Sequence, residues 1–259
     1  MFDSIYLPVD NSDYSNECVD IGLALAQKFG STIVASHVYA AKMHDVRFRQ
    51  MESGLPEEYQ DESELEKQRN IHDQLITKGM EVITDSYIDV PKDKCKQLNI
   101  PFEGKSLEGR NYLELVRDIK ESNYDLVIMG SLGLGAIKDS LVGTVTERVV
   151  RRIQTDTLLV KYLPEIHGER TSSDKIVVAV DGSQQSFGGL MTGIELSKAL
   201  NKPLEIISTF DPYFHYAMFN SLTGVLSREA SKVFKFEQQE KLHEDIIDKG
   251  LAKIYQAHL

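Results

Sequence analysis

The chain has 259 residues, 29 of them Lys or Arg and 40 Asp or Glu, giving a formal net charge of −11; 41% of residues are hydrophobic and 27% charged. That is the composition of an ordinary globular protein, long enough for one large domain or two smaller ones. The acidic balance argues against a protein that coats nucleic-acid phosphates, which needs a basic footprint, and against docking on an anionic membrane surface.

Residues 5–9 are a short apolar run ending at Asp10, the pattern of a buried strand. Ser12 or Asp13 is placed to cap a helix in which Cys18, Ile21, Leu25 and Phe29 recur at helical spacing, and Gly30 stops it. Residues 32–39, rich in β-branched side chains, read as the second strand. A polar stretch with Gly54 and Pro56 follows over 40–62 and reads as an excursion, then a helix over 64–86. Third and fourth strands are expected at 100–106 and 124–129, with a helix over 111–121 between them. A helix over 145–153 and a fifth strand over 157–162 complete the series. Strands alternate with helices and are near-continuous apolar runs, which predicts a doubly wound parallel α/β sheet covered on both faces. Such sheets take ligands beyond the carboxyl ends of their strands, where strand order reverses. Chemistry is therefore expected just after Val9, Val38 and Met129.

The chain also repeats itself. Ile5-Tyr6-Leu7-Pro8-Val9-Asp10-Asn11-Ser12 recurs at an offset of 171 residues as Ile176-Val177-Val178-Ala179-Val180-Asp181-Gly182-Ser183, and Ser15, Gly22 and Leu25 map onto Ser186, Gly193 and Leu196. The same ungapped register places residues 71–80 on 242–251, including His72 on His243 and Gly79 on Gly250. We expect a complete unit over residues 1–163, a polar linker over 164–173, and a partial second copy of the same unit over 174–259, a front half only. The second copy has Asp181 and Thr209 opposite Asp10 and Val38, but no counterpart of the glycine segment described next.

After the fourth strand comes Met129-Gly130-Ser131-Leu132-Gly133, and after nine intervening residues comes Gly143-Thr144-Val145-Thr146, opening a helix. Glycines at 130 and 133 let main-chain amides approach a ligand where a Cβ would obstruct it. Gly143 and Thr144 stand at a helix N-terminus, where unpaired amides and the dipole favour an anion, and the Thr144 and Thr146 hydroxyls are further donors.

These residues carry a family resemblance. Pro8-Val9-Asp10, Met129-Gly130-Ser131-x-Gly133, Gly143-Thr144-Val145-Thr146-Glu147 and Leu158-Leu159-Val160-Lys161 resemble the ATP-binding branch of the universal stress proteins. The resemblance covers nearly all of residues 1–163, and the front half of the motif set again over 174–259. It implies a five-stranded parallel sheet of order 3-2-1-4-5, followed by an incomplete second domain. It further implies Asp10 near the adenosine beside Pro8, the Val38 backbone at the adenine edge, and Met129 and Gly130 under the ribose. Gly133, Gly143, Thr144, Val145 and Thr146 would gather the phosphates. Leu132 departs from the pattern, since related proteins often carry a polar residue such as His there. The implied ligand is ATP, AMP or ADP, with Mg²⁺ as a companion of the triphosphate. The implied role is nucleotide-dependent regulation in a stress response, with dimerisation through the edge strand 157–162.

Other signals are weaker. No P-loop is present, and the possible G-x-G-x-x-G beginning at Gly133 and Gly135 fails at Lys138. The seven histidines show no metal-ligand spacing. His72 and His243 lie on a charged helix face and read as solvated or inter-unit packing residues. Arg151 and Arg152 read as complements of a helix C-terminus. The aromatic cluster over 210–219 reads as core or partner contact, not base stacking. Cys18 and Cys95 are too few for a disulfide framework and suit a reducing cytoplasm. Met1-Phe2-Asp3-Ser4 lacks the layout of a signal peptide, and no apolar run approaches the ~18 residues of a membrane helix. Two functional alternatives stay open. One is slow ATP hydrolysis or phosphoryl transfer, for which Lys138 and Asp139 are the local candidates. The other is an interaction scaffold that binds no nucleotide.

Overall fold

A computed structural model describes residues 1–52, 54–56, 60–133, 142–161, 175–209 and 228–257. The expected linker at 164–173, the loop residues Lys138 and Asp139, and the aromatic cluster over 210–219 lie outside the described residues. The chain divides into two compact units, Met1–Arg170 and Thr171–Leu259.

The first unit runs β1 (Ser4–Pro8), α1 (Asp13–Phe29), β2 (Thr32–Tyr39), α2 (Ala41–Glu52), α3 (Glu62–Leu98), β3 (Phe102–Glu108), α4 (Asn111–Ser122), β4 (Leu126–Gly130), α5 (Thr144–Val150) and β5 (Asp156–Val160). Its five strands form one parallel sheet of order β3-β2-β1-β4-β5, the order the motif resemblance implies. The central strand β1 pairs on one side with β2 (Ile5 opposite Ile33) and on the other with β4 (Ile5 opposite Leu126). Ile5, Tyr6 and Leu7 are fully buried, as a strand covered on both faces requires. Tyr6 faces a core built with Val34, Leu115, Val116, Ile119, Val127 and Val149, and its ring stacks on Tyr124 at 4.4 Å. On the opposite face Gly22 of α1 lies close to the Leu7 and Ile128 side chains.

Local chemistry sets the helix ends. Ser12 caps α1 by accepting from the Ser15 amide, and Gly30 closes it in the left-handed region at φ 71°, donating its amide to the Ala26 carbonyl. The expected excursion over 40–62 contains α2, which the sequence conceals because its residues are largely exposed and lack a strong apolar stripe. Arg69 fastens α2 to α3 by donating to Glu52 at the end of α2 and to Glu62 at the start of α3. The Phe48 ring stacks on His72 at 4.1 Å, so His72 packs within its own unit, neither simply solvated nor held by this contact against the other unit.

The largest departure from expectation is α3. It spans 37 residues and runs through Pro91 to Leu98, not to 86. Proline removes one helical hydrogen bond, so propensity ends the helix early. Burial of Thr84, Ile88, Pro91 and Cys95 offsets that loss. β3 lies two residues later than the pattern suggests. α5 stops at Val150, three residues short of its expected end, and the edge strand ends at Val160 instead of 162.

The second unit contains β6 (Ile176–Ala179), α6 (Gln184–Leu200), β7 (Leu204–Ile207) and α7 (Arg228–Ala257). β6 and β7 form a parallel two-stranded sheet, with Ile176 opposite Leu204. Val180, Leu190, Ile194 and Ile246 form its small core. α6 occupies the positions of α1 displaced by 171 residues, from Gln184 to Leu200, with Ser183 as its cap. His243 reaches the Ser208 hydroxyl through Nδ1 at 2.7 Å.

Candidate functional site

The strand ends at the switch point between β1 and β4 open on a cleft of about 460 Å³. Much of its lining comes from three strand ends and the start of α5. Pro8 ends β1, and Asp10 and Ser12 follow it; Ser36, His37 and Val38 lie near the end of β2; Met129 and Gly130 end β4, Gly133 follows, and Gly143 to Thr146 stand at the start of α5. All ten residues singled out in the sequence, Pro8, Asp10, Val38, Met129, Gly130, Gly133, Gly143, Thr144, Val145 and Thr146, line this one cleft. The parallel sheet brings them together by placing the carboxyl ends of β2, β1 and β4 side by side.

The β1 end is held by a tight turn. Asn11 adopts φ 58°, and Asp10 Oδ1 accepts from both the Ser12 amide (3.1 Å) and the Ser12 hydroxyl (2.6 Å). The Asp10 amide donates to Ser15 Oγ at 3.2 Å. Asp10 is thereby fixed between the turn and the first helix.

The β4 end depends on glycine. A Cβ at Gly130 would stand 2.7 Å from Tyr14 Cβ and 2.9 Å from the Leu132 carbonyl oxygen. At Gly133 it would stand 2.5 Å from Asp10 Oδ2, so a side chain there would displace the carboxylate at the middle of the cleft. These two positions keep the β1 and β4 loops in close approach and leave main chain facing the cavity. Gly143 differs, because its φ of −69° suits any residue and an added Cβ would lie 3.3 Å from the Ser131 carbonyl oxygen.

Two sequence expectations about donors need correction. The Gly143 amide already donates to the Ser131 carbonyl at 2.6 Å, closing the base of the segment between them. The buried Thr146 hydroxyl donates to the Gly130 carbonyl at 2.9 Å, so its proton ties α5 to β4 instead of pointing at a ligand. The first helical bond of α5 runs from the Glu147 amide to the Gly143 carbonyl. The amides of Thr144, Val145 and Thr146 precede it, and helical geometry leaves them without an intrahelical acceptor. Arg151 pairs with Glu147, while Arg152 donates to the Arg148 carbonyl, as a cation near a helix C-terminus does.

Several lining residues escaped the sequence reading: Ser36, His37, Tyr87, Asn111 and Leu115. Ser36 is buried and donates its hydroxyl to Tyr6 at 2.6 Å. His37 Nδ1 lies 2.9 Å from Thr84 Oγ1, and its ring stands edge-on to Tyr87, centroids 4.9 Å apart. Burial holds the His37 imidazole below its ordinary range, with the Asp10 carboxylate pulling the other way. Thr84 and Tyr87 belong to α3, whose extent the sequence understated. Leu132 also lines the cleft, an apolar side chain where the family pattern often has a polar one.

Among the described residues, no group of three His, Cys, Asp or Glu side chains is arranged to hold a metal ion, and no helix is long and apolar enough to cross a membrane.

Comparison with known proteins shows what the chain is similar to. The sequence profile of the universal stress protein family matches residues 1–161. Universal stress protein YxiE of Bacillus subtilis is 21% identical over 161 residues, 62% of this chain and all of that protein. Universal stress protein MJ0531 of Methanocaldococcus jannaschii is 28% identical over the same length, 62% of this chain and 83% of that protein. Among solved structures, that of hypothetical protein MJ0577 overlays with a TM-score of 0.48 at 21% identity, covering 63% of this chain and 98% of the other. A universal stress protein family protein from Arabidopsis thaliana, solved with AMP bound, overlays with a TM-score of 0.40 at 14% identity, covering 63% and 94%. With its profile matched across more than half of the sequence and its five-stranded sheet in the expected order, the chain belongs to the universal stress protein family.

Proposed function

We propose that the first unit binds ATP or AMP in the cleft at the β1/β4 switch point and that occupancy, not turnover, is the protein's output in a stress response. The observation that carries this reading is the convergence of all ten motif residues on one cleft, with Gly130 and Gly133 leaving main chain where any Cβ would collide. The adenosine lies by Pro8, Asp10 and Val38, the ribose over Met129 and Gly130, and the phosphates against Gly133 and the amides of Thr144, Val145 and Thr146. Mg²⁺ arrives with the triphosphate as its counter-ion and needs no cage of protein carboxylates. The binding-only reading is supported by what the described lining offers, main-chain amides that position a phosphate, and by a sequence that carries no P-loop motif. The domain division proposed is 1–163, 164–173 and 174–259, with one nucleotide site per chain. The protein acts in the cytoplasm. Pairing of two copies runs along β5, which is hydrogen-bonded to β4 on one side and exposes Leu158.

Isothermal titration with ATP and AMP tests the proposal, using the natural chain and Gly143→Val. The natural chain should bind at least one of the two, and the valine variant, branched beside the Ser131 carbonyl and the α5 amides, should lose at least tenfold in affinity. Failure of the natural chain to bind either nucleotide at millimolar concentration overturns the proposal.

A further inference from the structure

The cleft has two chemically distinct ends. On the β4 side its lining is main chain and small polar groups: Gly133, Gly143, Thr144 and Thr146. On the β2 side it is aromatic, formed by His37 and Tyr87 beside Val38. β2 and β4 are separated by β1 alone, so their ends lie about 10 Å apart at the usual spacing of paired strands. That is the scale on which a base and its phosphates are held apart within one nucleotide.

We infer that Tyr87, braced by His37, is the face on which the base of the bound nucleotide packs, making Tyr87 a specificity-determining residue for a planar heterocycle. The inference rests on the nucleotide reading above and goes beyond it by assigning a base-side wall to α3, an element that none of the family motifs in this sequence includes. Three observations support it. First, the Tyr87 ring is half-buried and lines the cleft, leaving aromatic surface for a ligand. Second, its partner ring is fixed: His37 is anchored to the buried Thr84 hydroxyl through Nδ1 at 2.9 Å. The His37 ring meets Tyr87 nearly perpendicular, at 80°, so the pair forms a corner that a flat ligand can enter. Third, the helix holding Tyr87 is itself anchored, since Thr84, Ile88 and Pro91 on either side are buried. The wall is therefore in place before a ligand arrives, which limits the ordering cost of binding.

Charge plays no part in this contact, so its loss should separate base from phosphate. The test measures ATP and inorganic tripolyphosphate by titration calorimetry on the full chain, with Tyr87→Ala and Tyr87→Phe as variants. Removing one stacking ring weakens nucleotide binding by about tenfold or more, by analogy with alanine substitutions at other base-stacking sites. Tyr87→Ala should show that loss for ATP and leave tripolyphosphate binding unchanged. Tyr87→Phe, which keeps the ring, should bind ATP like the natural chain and guards against a folding defect in the alanine variant. Equal ATP affinity in Tyr87→Ala and the natural chain overturns the inference while leaving the nucleotide site standing. A parallel loss of ATP and tripolyphosphate also overturns it, because the effect is then not on the base. If the natural chain binds no ATP, the functional proposal itself fails and this assignment falls with it.

Discussion

Ser12 caps α1 by accepting from the Ser15 amide, and 171 residues later Ser183 caps α6 by accepting from the Ser186 amide. The turn before each cap is built alike. Asp10 Oδ1 accepts from the Ser12 amide and Asp181 Oδ1 from the Ser183 amide, while the residue between, Asn11 or Gly182, takes a positive φ. Hydrogen bonds from Ser183 and Ser186 hold the Asp181 carboxyl down at about 2. The two units diverge in what surrounds these shared parts. β1 is paired on both edges and buried on both faces, whereas β6 pairs with β7 alone among the described residues and alternates half-buried and exposed side chains. The first unit has β4, the glycine segment and α5, and these furnish the second wall of its cleft. The aspartate turn is thus architecture that either unit can build. The candidate site arises only where a second strand end faces that turn.

This comparison is open to direct measurement, most strongly through the core. Tyr6 and its repeat counterpart Val177 occupy the same position in β1 and β6, yet Tyr6 is fully buried and Val177 is 46% exposed. Tyr6→Ala should destabilise the first unit by about 3–5 kcal/mol, through lost packing and the cavity left behind. Val177→Ala should cost the second unit about 0.5 kcal/mol or less, as exposed substitutions do. Amide hydrogen exchange on the full chain reads each unit separately. Comparable losses at the two sites would contradict the difference in coverage drawn here.

The caps should give the opposite result. Because Ser12 and Ser183 make the same bond, Ser12→Ala and Ser183→Ala should each cost about 1 kcal/mol. Exchange protection of the first turn of α1 and of α6 reports both. An effect confined to Ser12 would mean that its side chain is held for the cleft and not for the helix.

The smallest effect is one of pH and should belong to the first unit. The His37 position corresponds to Ser208 in the repeat. The folded imidazole titrates below its ordinary 6.5 because burial disfavours its charged form. Below that pH the unfolded chain binds a proton that the folded chain refuses, so stability falls as pH drops through 6.5 and is unaffected by this group above it. Thermal unfolding at about pH 7.5 and about pH 5.5 should show a smaller acid-induced loss in His37→Ser than in the natural chain. An unchanged loss would remove His37 as its source.

The sequence by itself determined the parallel α/β class, the strand ends at which to look, the repeat register and the glycine segment. Each of these is written in local pattern: apolar runs the length of a strand, a serine before a helix, glycines where main chain must come close. Only the tertiary structure decided that ten residues spread from Pro8 to Thr146 line one cleft, because their meeting depends on strand order and not on neighbours in the chain. It also decided which donors are already engaged, at Gly143 and Thr146, since both acceptors are carbonyls at the end of β4 or just beyond it. Tyr87 was hidden for the same reason. Local propensity ends its helix before Pro91, but burial against the sheet carries α3 on to Leu98 and holds the ring against His37.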